Sequence, residues 1–255
     1  MADNVPIILA IDQGSGSTKA LAIDINGQVL GQAEVKITTT FPQSGWVEQD
    51  PEEIWQSVVT ASKEITKSHN ISAVGLSIQR ESVLFWDRVT GKALTNVATW
   101  QDRRASDLAA KQAKNAMKVK EISGLELDPM FSALKAQWLF ENNDFNGADI
   151  CIGTIDSWIA FKLGAGHIVE VGSASRTQLL DLQTGQWSPE LLEIFGIGKS
   201  RLPRVCASDE KHLCTNMQAL GLSDDVSLSG IMGDSHAALF AHQGWKAGNF
   251  KATFG

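Results

Sequence analysis

The segment from Asp12 to Lys19 constrains the fold of this chain most strongly, because short apolar runs flank it on both sides. Residues 7–11 precede it and residues 20–23 follow it, and runs of this length and β-branched content are typical of strands. A second turn at Asn26-Gly27 is a strong hairpin signal. The sequence therefore predicts a three-stranded antiparallel meander over residues 5–35.

The first turn of this meander carries groups that suit phosphate binding. Its glycines let backbone N–H groups approach phosphate oxygens, and the hydroxyls of Ser15, Ser17 and Thr18 add further donors. Asp12 is suited to hold a hydrated Mg²⁺ ion beside those phosphates. The Gly-Lys-Ser/Thr helix start of a strand-to-helix phosphate loop is absent. Taken alone, the segment is equally well explained as an ordinary Gly/Ser hairpin turn.

The bulk composition excludes several classes of protein. With 43% hydrophobic and 20% charged residues, the 255-residue chain is typical of a soluble globular protein. Its net charge of −7 argues against nucleic acid as the main partner. Three cysteines without metal-type spacing indicate reduced thiols, and neither a signal peptide nor a membrane span is evident. We therefore expect a cytoplasmic protein with no membrane partner.

Helices alternate with buried strands after the meander. A helix capped by Asp50, with Pro51 in its first turn, is predicted to end near Ser68. Further strands are predicted at residues 71–78, 83–86, 150–152, 226–231 and 249–253, and further helices at 105–112, 118–123, 132–142, 155–163, 190–195 and 235–242. This order predicts an α/β domain with a mixed sheet.

Three polar clusters could carry chemistry. Arg80 and Glu81 follow a buried strand, where α/β sheets bind ligands, although an exposed ion pair of no function is the simpler explanation. Trp100 could lie against the C–H surface of a sugar, although one Trp among eight is more often part of the core. Asp234 sits near a helix N-terminus, where it could cap the helix or accept the proton of an attacking hydroxyl.

Short motifs in one order support a more specific interpretation. They are Ile11-Asp12-Gln13-Gly14, Gly45-Trp46-Val47-Glu48-Gln49-Asp50-Pro51, Gln79-Arg80-Glu81, Trp86-Asp87-Arg88, Trp100-Gln101-Asp102-Arg103-Arg104, Asp128-Pro129 with Phe131-Ser132, Gly153-Thr154-Ile155-Asp156-Ser157-Trp158, Ala174-Ser175-Arg176-Thr177 and Gly233-Asp234. Over nearly its whole length the chain resembles the N-terminal half of FGGY-type carbohydrate kinases, most closely the glycerol kinase branch.

The resemblance implies a ribonuclease-H-like domain of the actin/hexokinase-like ATPase fold, with a mixed sheet flanked by helices. Residues 1–255 would form the acceptor- and phosphate-binding N-terminal domain, and the C-terminal adenosine-binding domain would be absent from this chain. The implied reaction is ATP-dependent phosphoryl transfer, with Mg²⁺, to a hydroxyl of glycerol or a related small polyol or sugar. We expect a homo-oligomer, and little or no kinase activity from this chain by itself.

The resemblance also assigns roles to individual residues. Asp234 would be the general base and, with Asp12, would belong to the metal site. The acceptor would contact Arg80, Glu81, Trp100, Met130, Asp234 and Ser235, and the nucleotide would contact Gly14, Ser15, Gly16, Lys19, Thr253 and Gly255.

The chain departs from the glycerol kinase pattern at three of these positions. Met130 stands where glycerol kinases place Tyr, Ser235 where Gln follows the base, and Lys19 where Arg is frequent. A thioether cannot donate the phenolic hydrogen bond, and a pocket that loses matched polar groups loses discrimination. A kinase for another sugar, such as a ketopentose, and a non-catalytic actin-like ATP- or sugar-binding sensor remain as alternatives. Retention of Asp12 and Asp234 together with Arg80-Glu81 argues against the sensor. The segment Gln79-Arg80-Glu81 favours the glycerol-like side over a ketopentose kinase.

Overall fold

The structure, a computed structural model, describes residues 5–252. The strands are β1 (Ile7–Gln13), β2 (Ser17–Asp24), β3 (Val29–Lys36), β4 (Glu48–Gln49), β5 (Ile71–Ile78), β6 (Leu84–Asp87), β7 (Val97–Ala98), β8 (Ile150–Gly153), β9 (Ile168–Glu170), β10 (Leu180–Asp181), β11 (Gln186–Trp187), β12 (Arg204–Cys206) and β13 (Ser227–Gly233). The α-helices are α1 (Pro51–Thr66), α2 (Ser106–Lys111), α3 (Ala116–Ser123), α4 (Ser132–Asn142), α5 (Ile155–Leu163), α6 (Val171–Ser175), α7 (Pro189–Phe195) and α8 (Asp234–Ala241).

The centre of the fold is a five-stranded mixed sheet in the order β13-β5-β1-β2-β3. The β1, β2 and β3 strands are antiparallel neighbours, which confirms the predicted meander, whereas β5 and β13 run parallel to β1. The carboxyl ends of β1, β5 and β13 therefore meet at one edge of the sheet. Ligands of α/β sheets bind at such an edge.

The α1 helix covers one face of this sheet. Asp50 caps it by accepting the backbone N–H of Glu52 (2.8 Å), and Pro51 occupies its first turn, as predicted. Its buried side chains, including Ile54 and Val58, pack in one core cluster with the inward side chains of the sheet. Burial of each such aliphatic side chain contributes about 1.5–3 kcal/mol.

A second core cluster lies beneath α2, α3, α4 and α7. It includes Val83 and Phe85 from the strand region after β5, and Leu134 from α4. This cluster supports the segments that carry Trp100 and Met130, so these two residues rest on packed elements rather than on an isolated loop. None of the helices within residues 5–252 combines the length and apolar character that a bilayer span requires.

One predicted strand is wrong. The described part of the predicted strand at residues 249–253, up to Ala252, has no strand pairing, and Thr253 lies outside the described residues. Asn249 instead donates its side-chain amide to the carbonyls of His242 (3.0 Å) and Gln243 (3.1 Å), which folds the chain back after α8. Phe250 is 84% exposed and provides no burial that could support a strand. Strands β4, β7 and β9 to β12 and helix α6 were not predicted, because segments of two to five residues carry no periodicity.

Candidate active site

The Gly14–Gly16 turn joins β1 to β2, as predicted. Gly14 donates its N–H to the Ser17 carbonyl (3.0 Å), and the Gly16 carbonyl accepts from Ile37 (3.1 Å). A side chain at Gly16 would meet nothing within 4 Å, so space for a ligand exists beside this glycine. The turn therefore presents short residues and a hydroxyl at the edge where β1 ends.

Asp12 and Lys19 face each other across β1 and β2. They are directly paired in the antiparallel register, and both are exposed. Asp12 Oδ1 accepts a hydrogen bond from Ser77 Oγ (2.9 Å) on the neighbouring strand β5. A carboxylate and a cation thus stand together next to the turn.

Three buried glutamines, to which the sequence analysis gave no role, hold this turn from behind. Gln49 Nε2 donates to the Ser15 carbonyl (2.7 Å), and Gln49 Oε1 accepts from Gln79 Nε2 (3.0 Å). Gln79 Nε2 also reaches Gln13 Oε1 (3.2 Å), and Gln13 Nε2 donates to the Gly14 carbonyl (2.8 Å). Buried amides that are satisfied in this way restrict the backbone they bind.

Arg80 and Asp234 form an ion pair at the ends of β5 and β13. Arg80 Nε lies 3.0 Å from Asp234 Oδ1, and the Asp234 side chain remains 49% exposed. Gly233 makes this contact possible, because a Cβ there would lie 2.4 Å from Arg80 Cδ. Asp234 is the first residue of α8 and Gly233 its N-cap, so the carboxylate lies within the favourable field of the helix N-terminus.

Glu81 is held in an uncommon backbone conformation beside this pair. Its φ is +63°, which a non-glycine residue adopts only under constraint from its surroundings. Arg176 Nε donates to Glu81 Oε1 (2.6 Å), and Ser132 Oγ donates to the Glu81 carbonyl (2.9 Å). Arg176 occurs in the Ala174–Thr177 motif, and this motif was the only sequence signal for its role.

Trp100 contacts the Gly14–Gly16 turn through its side chain. Its indole Nε1 donates to Ser15 Oγ (2.9 Å), and its backbone N–H donates to Ser82 Oγ (3.2 Å). The side chain is 37% exposed, so one surface remains available to a ligand. The structure therefore brings Ser15 and Trp100, which are 85 residues apart in the chain, into direct contact.

Met130 and Ser235, two of the three departures from the glycerol kinase pattern, each make a polar contact within this chain. Met130 is half-buried and its N–H donates to Asp128 Oδ1 (2.8 Å). Ser235 Oγ accepts a hydrogen bond from Lys251 Nζ (3.2 Å). Burial, and then the charge of Arg80, lower the pKa of His236, the next residue. Two further predicted nucleotide contacts, Thr253 and Gly255, lie outside the described residues.

The carboxylates predicted to share a metal belong to different strands, Asp12 to the end of β1 and Asp234 to the residue after β13. Asp12 and Met232 are both in register with Ser77 on β5, so roughly 10 Å separates their backbones at a strand spacing of about 4.8 Å. Residues 5–252 contain no cluster of three or more Asp, Glu, His or Cys side chains that could hold a metal. Mg²⁺ in kinases is held by one or two carboxylates, water and substrate phosphates, and the exposed Asp12 beside the turn fits that requirement.

Lys135 is a buried residue near this site that the sequence analysis did not identify. Its Nζ donates to the carbonyls of Thr99 (2.8 Å) and Met130 (2.6 Å). Burial lowers the pKa of Lys135 to about 7 from its ordinary value of 10.5.

We expect this lysine to make stability depend on pH. Between pH 7 and pH 10.5 the unfolded state binds more protons than the native state, so the free energy of unfolding rises with pH. The gain is at most about 1.4 kcal/mol per pH unit. Urea unfolding of the wild type and Lys135→Met at pH 6, 7, 8 and 9 measures this change in the free energy of unfolding. The difference between the two proteins should be constant below pH 7 and should favour the wild type increasingly above it; parallel profiles would contradict the assignment.

Comparisons of the sequence find similar proteins in one family. The family model for the N-terminal domain of the FGGY family of carbohydrate kinases matches residues 7–241. Glycerol kinase from Bdellovibrio bacteriovorus is 40% identical, with 97% of this chain and 53% of the relative covered. Glycerol kinase from Acinetobacter baylyi is 39% identical, with 97% and 52% covered. The chain spans about half the length of the curated relatives it matches.

Solved structures show the same fold. The crystal structure of Plasmodium falciparum glycerol kinase with ADP matches with a TM-score of 0.88 at 30% identity, covering 94% of this chain and 50% of that one. A ligand-bound xylulose kinase from Lactobacillus acidophilus matches with a TM-score of 0.87 at 24% identity, covering 94% and 50%, which is a likeness of fold alone. These matches confirm the predicted actin/hexokinase-like ATPase fold. On the extent of the family match and the identity to its members, this chain belongs to the FGGY family of carbohydrate kinases.

Proposed function

We propose that the complete gene product transfers a phosphoryl group from ATP to a hydroxyl of glycerol or a related small polyol or sugar. Residues 1–255 would supply its acceptor- and phosphate-binding domain. The observation that carries the proposal is the Arg80–Asp234 pair at the sheet edge, beside a phosphate-type turn that Trp100 contacts directly. A half-exposed carboxylate next to a polyol-binding arginine is the arrangement that activation of a hydroxyl requires.

Asp234 acts as the general base in this proposal. Its carboxylate accepts the proton of the attacking hydroxyl, while Arg80 fixes the orientation of that carboxylate through the 3.0 Å contact. Glu81 accepts hydrogen bonds from acceptor hydroxyls, because Arg176 and Ser132 hold it in place. Most of the rate acceleration comes from positioning and charge neutralisation, as in phosphoryl transfer generally.

The nucleotide phosphates lie against the turn between β1 and β2 in this proposal. The backbone N–H of Gly16, the hydroxyl of Ser15 and the ammonium of Lys19 supply donors and charge. Gly14, whose N–H is bonded to the Ser17 carbonyl, contributes by letting the phosphates approach the backbone closely. Asp12 would hold Mg²⁺ here, which would supply neutralisation of phosphate charge. Trp100 contacts the Ser15 side chain of this turn, whereas Gln49 and Gln13 hold its backbone.

The acceptor is a small polyol, and glycerol is the first candidate because the relatives named above are glycerol kinases. Met130 and Ser235 replace two larger polar groups, which leaves Arg80, Glu81 and Asp234 as the principal polar contacts. Fewer matched donors relax discrimination between hydroxylated substrates.

Acceptor-dependent release of ADP from the complete gene product tests the proposal. Mg-ATP is supplied with glycerol, erythritol, ribitol, xylulose or ribulose in separate assays. We expect turnover with glycerol or another small polyol to exceed turnover with the ketopentoses by at least about tenfold, because Arg80 and Glu81 are retained. Discrimination among the polyols themselves should be weaker, because the matched groups at positions 130 and 235 are replaced. Selective turnover of a ketopentose would overturn the substrate class. Binding of ATP without turnover of any compound would favour the sensor.

A further inference from the structure

Lys135 is fully buried in the first turn of α4, with no exposed surface. Its Nζ contacts two carbonyl oxygens, those of Thr99 and Met130. The two carboxylates whose charge acts on it, Asp102 and Glu81, are paired with arginines instead, Asp102 with Arg104 and Glu81 with Arg176. The lysine thus has neutral backbone acceptors as its direct partners.

A buried amine of this kind is costly compared with an apolar side chain of the same length. Removal of an ammonium group from water is unfavourable unless a paired charge compensates it, and methionine would fill the same channel without that cost. Stability alone therefore does not explain a lysine at this position, and the segments that its two hydrogen bonds join indicate its role.

The two carbonyls belong to the two walls of the proposed acceptor pocket. Thr99 directly precedes Trp100, whose indole contacts the phosphate turn, and Met130 is itself a predicted acceptor contact. Trp100 and Met130 are 30 residues apart in the sequence, and α2 and α3 intervene between them along the chain. Arg103 pairs with Asp128 between the same segments, and Met130 N–H donates to that carboxylate. Within the described residues, Lys135 adds the one contact of this region that binds the backbone carbonyls of Thr99 and Met130 together through a fully buried side chain.

The same helical turn holds a third acceptor segment. Ser132 Oγ donates to the carbonyl of Glu81 (2.9 Å), three residues before Lys135 on the same helix. The first turn of α4 thus makes direct contacts to the backbones at Glu81, Thr99 and Met130. Because α4 rests on a packed core, it can act as a fixed reference for all three.

We propose that Lys135 is a positioning residue, which cross-links the Thr99–Trp100 segment to Met130 and so sets the width of the acceptor pocket. This inference rests on the proposed function for its kinetic consequence, whereas the cross-link itself stands on the two hydrogen bonds.

Lys135→Met in the complete gene product tests the kinetic consequence. We expect kcat/KM for the acceptor to fall about 100-fold, because a displacement of about 1 Å at a reacting site has an effect of this size. The KM for ATP should change less than about threefold, because the phosphate turn keeps its own glutamine contacts. Lys135→Gln keeps an amide donor that can reach one carbonyl, so it should recover part of the loss.

Lys162→Met is the matched control. Lys162 Nζ is also partly buried, bonds to both carboxylate oxygens of Glu52 (3.1 Å each) and lies over the Trp158 ring at 4.9 Å. It lies on α5 against the start of α1 and has no bond to the pocket segments. The kcat/KM of Lys162→Met for the acceptor should remain within about twofold of wild type, because Lys162 makes no transition-state contact.

Hydrogen exchange on the same proteins separates the cross-link from the function. In Lys135→Met, amide protection should fall at residues 99–102 and 128–131 and persist in β1, β2 and α1; Lys162→Met should leave both segments protected. If Lys135→Met does not fold, Lys135→Gln takes its place in both measurements. Unchanged amide protection at both segments would overturn the cross-link. An equal loss of kcat/KM for the acceptor and for ATP would overturn the positioning role. An inactive wild type with the expected exchange pattern would reject the proposed function and retain the cross-link.

Discussion

Replacement of Asp234 by asparagine is expected to lower kcat of the complete gene product by about 10²- to 10⁴-fold, the usual contribution of a general base. Asparagine has the same size and its carbonyl oxygen can still accept from Arg80 Nε at the position that Asp234 Oδ1 now occupies, 3.0 Å away. It cannot accept the proton of the acceptor hydroxyl. Binding should therefore survive, with KM for the acceptor changed less than about threefold.

Asp149→Asn is the control for this substitution. Asp149 forms a comparable pair with Arg88, 3.2 Å between Nε and Oδ2, and its side chain is 56% exposed. Loss of an exposed pair of this kind has little effect on stability, and no step of the reaction involves it. Steady-state kinetics of both variants, with an acceptor-binding assay for each, show whether Asp234 acts as the general base. Full kcat in Asp234→Asn would show that another group takes the proton, and would reopen the assignment of the base.

The sequence was most informative where the signals were local. The turn at Asp12–Lys19, the Asn26-Gly27 hairpin and the Asp50 cap each depend on residues within a few positions of one another, and all three occur in the structure. The convergence of Arg80 and Asp234 was also predictable, because parallel strands bring their carboxyl ends to one edge of a sheet.

The remaining contacts of the site could not be derived from local signals. Gln49, Lys135 and Arg176 reach the backbone or side chains of segments 34, 36 and 95 residues away, and no periodic pattern marks a polar residue that faces inward. Polar residues are usually exposed, so composition alone places such residues on the surface. The predicted strand near Phe250 failed for a related reason. Its apolar pattern was local, whereas strand formation depends on a neighbouring strand and on burial.

Gly233→Ala is expected to raise KM for the acceptor about 10- to 100-fold while the protein stays folded. The backbone at Gly233 has φ −65° and ψ 143°, which any residue adopts, so the substitution introduces no backbone strain. The added Cβ would lie 2.4 Å from Arg80 Cδ and 2.7 Å from Arg80 Cγ, closer than packed atoms approach. Arg80 must therefore move away from Asp234. Arg80 would then no longer reach the acceptor. Loss of the charged hydrogen bond between Arg80 and the acceptor, about 1.5–3 kcal/mol, corresponds to the expected change in KM.

Gly198→Ala provides the matched control, because Gly198 has φ −73° and its added Cβ would meet nothing within 4 Å. It should retain the wild-type KM for the acceptor and, like Gly233→Ala, an unfolding free energy within about 1 kcal/mol of wild type. Measurement of both quantities separates displacement of one side chain from a general loss of structure. If Gly233→Ala binds the acceptor as tightly as the control, then contact with Arg80 at its present position is not what holds the substrate. If both variants lose binding equally, the effect belongs to glycine replacement rather than to the pocket.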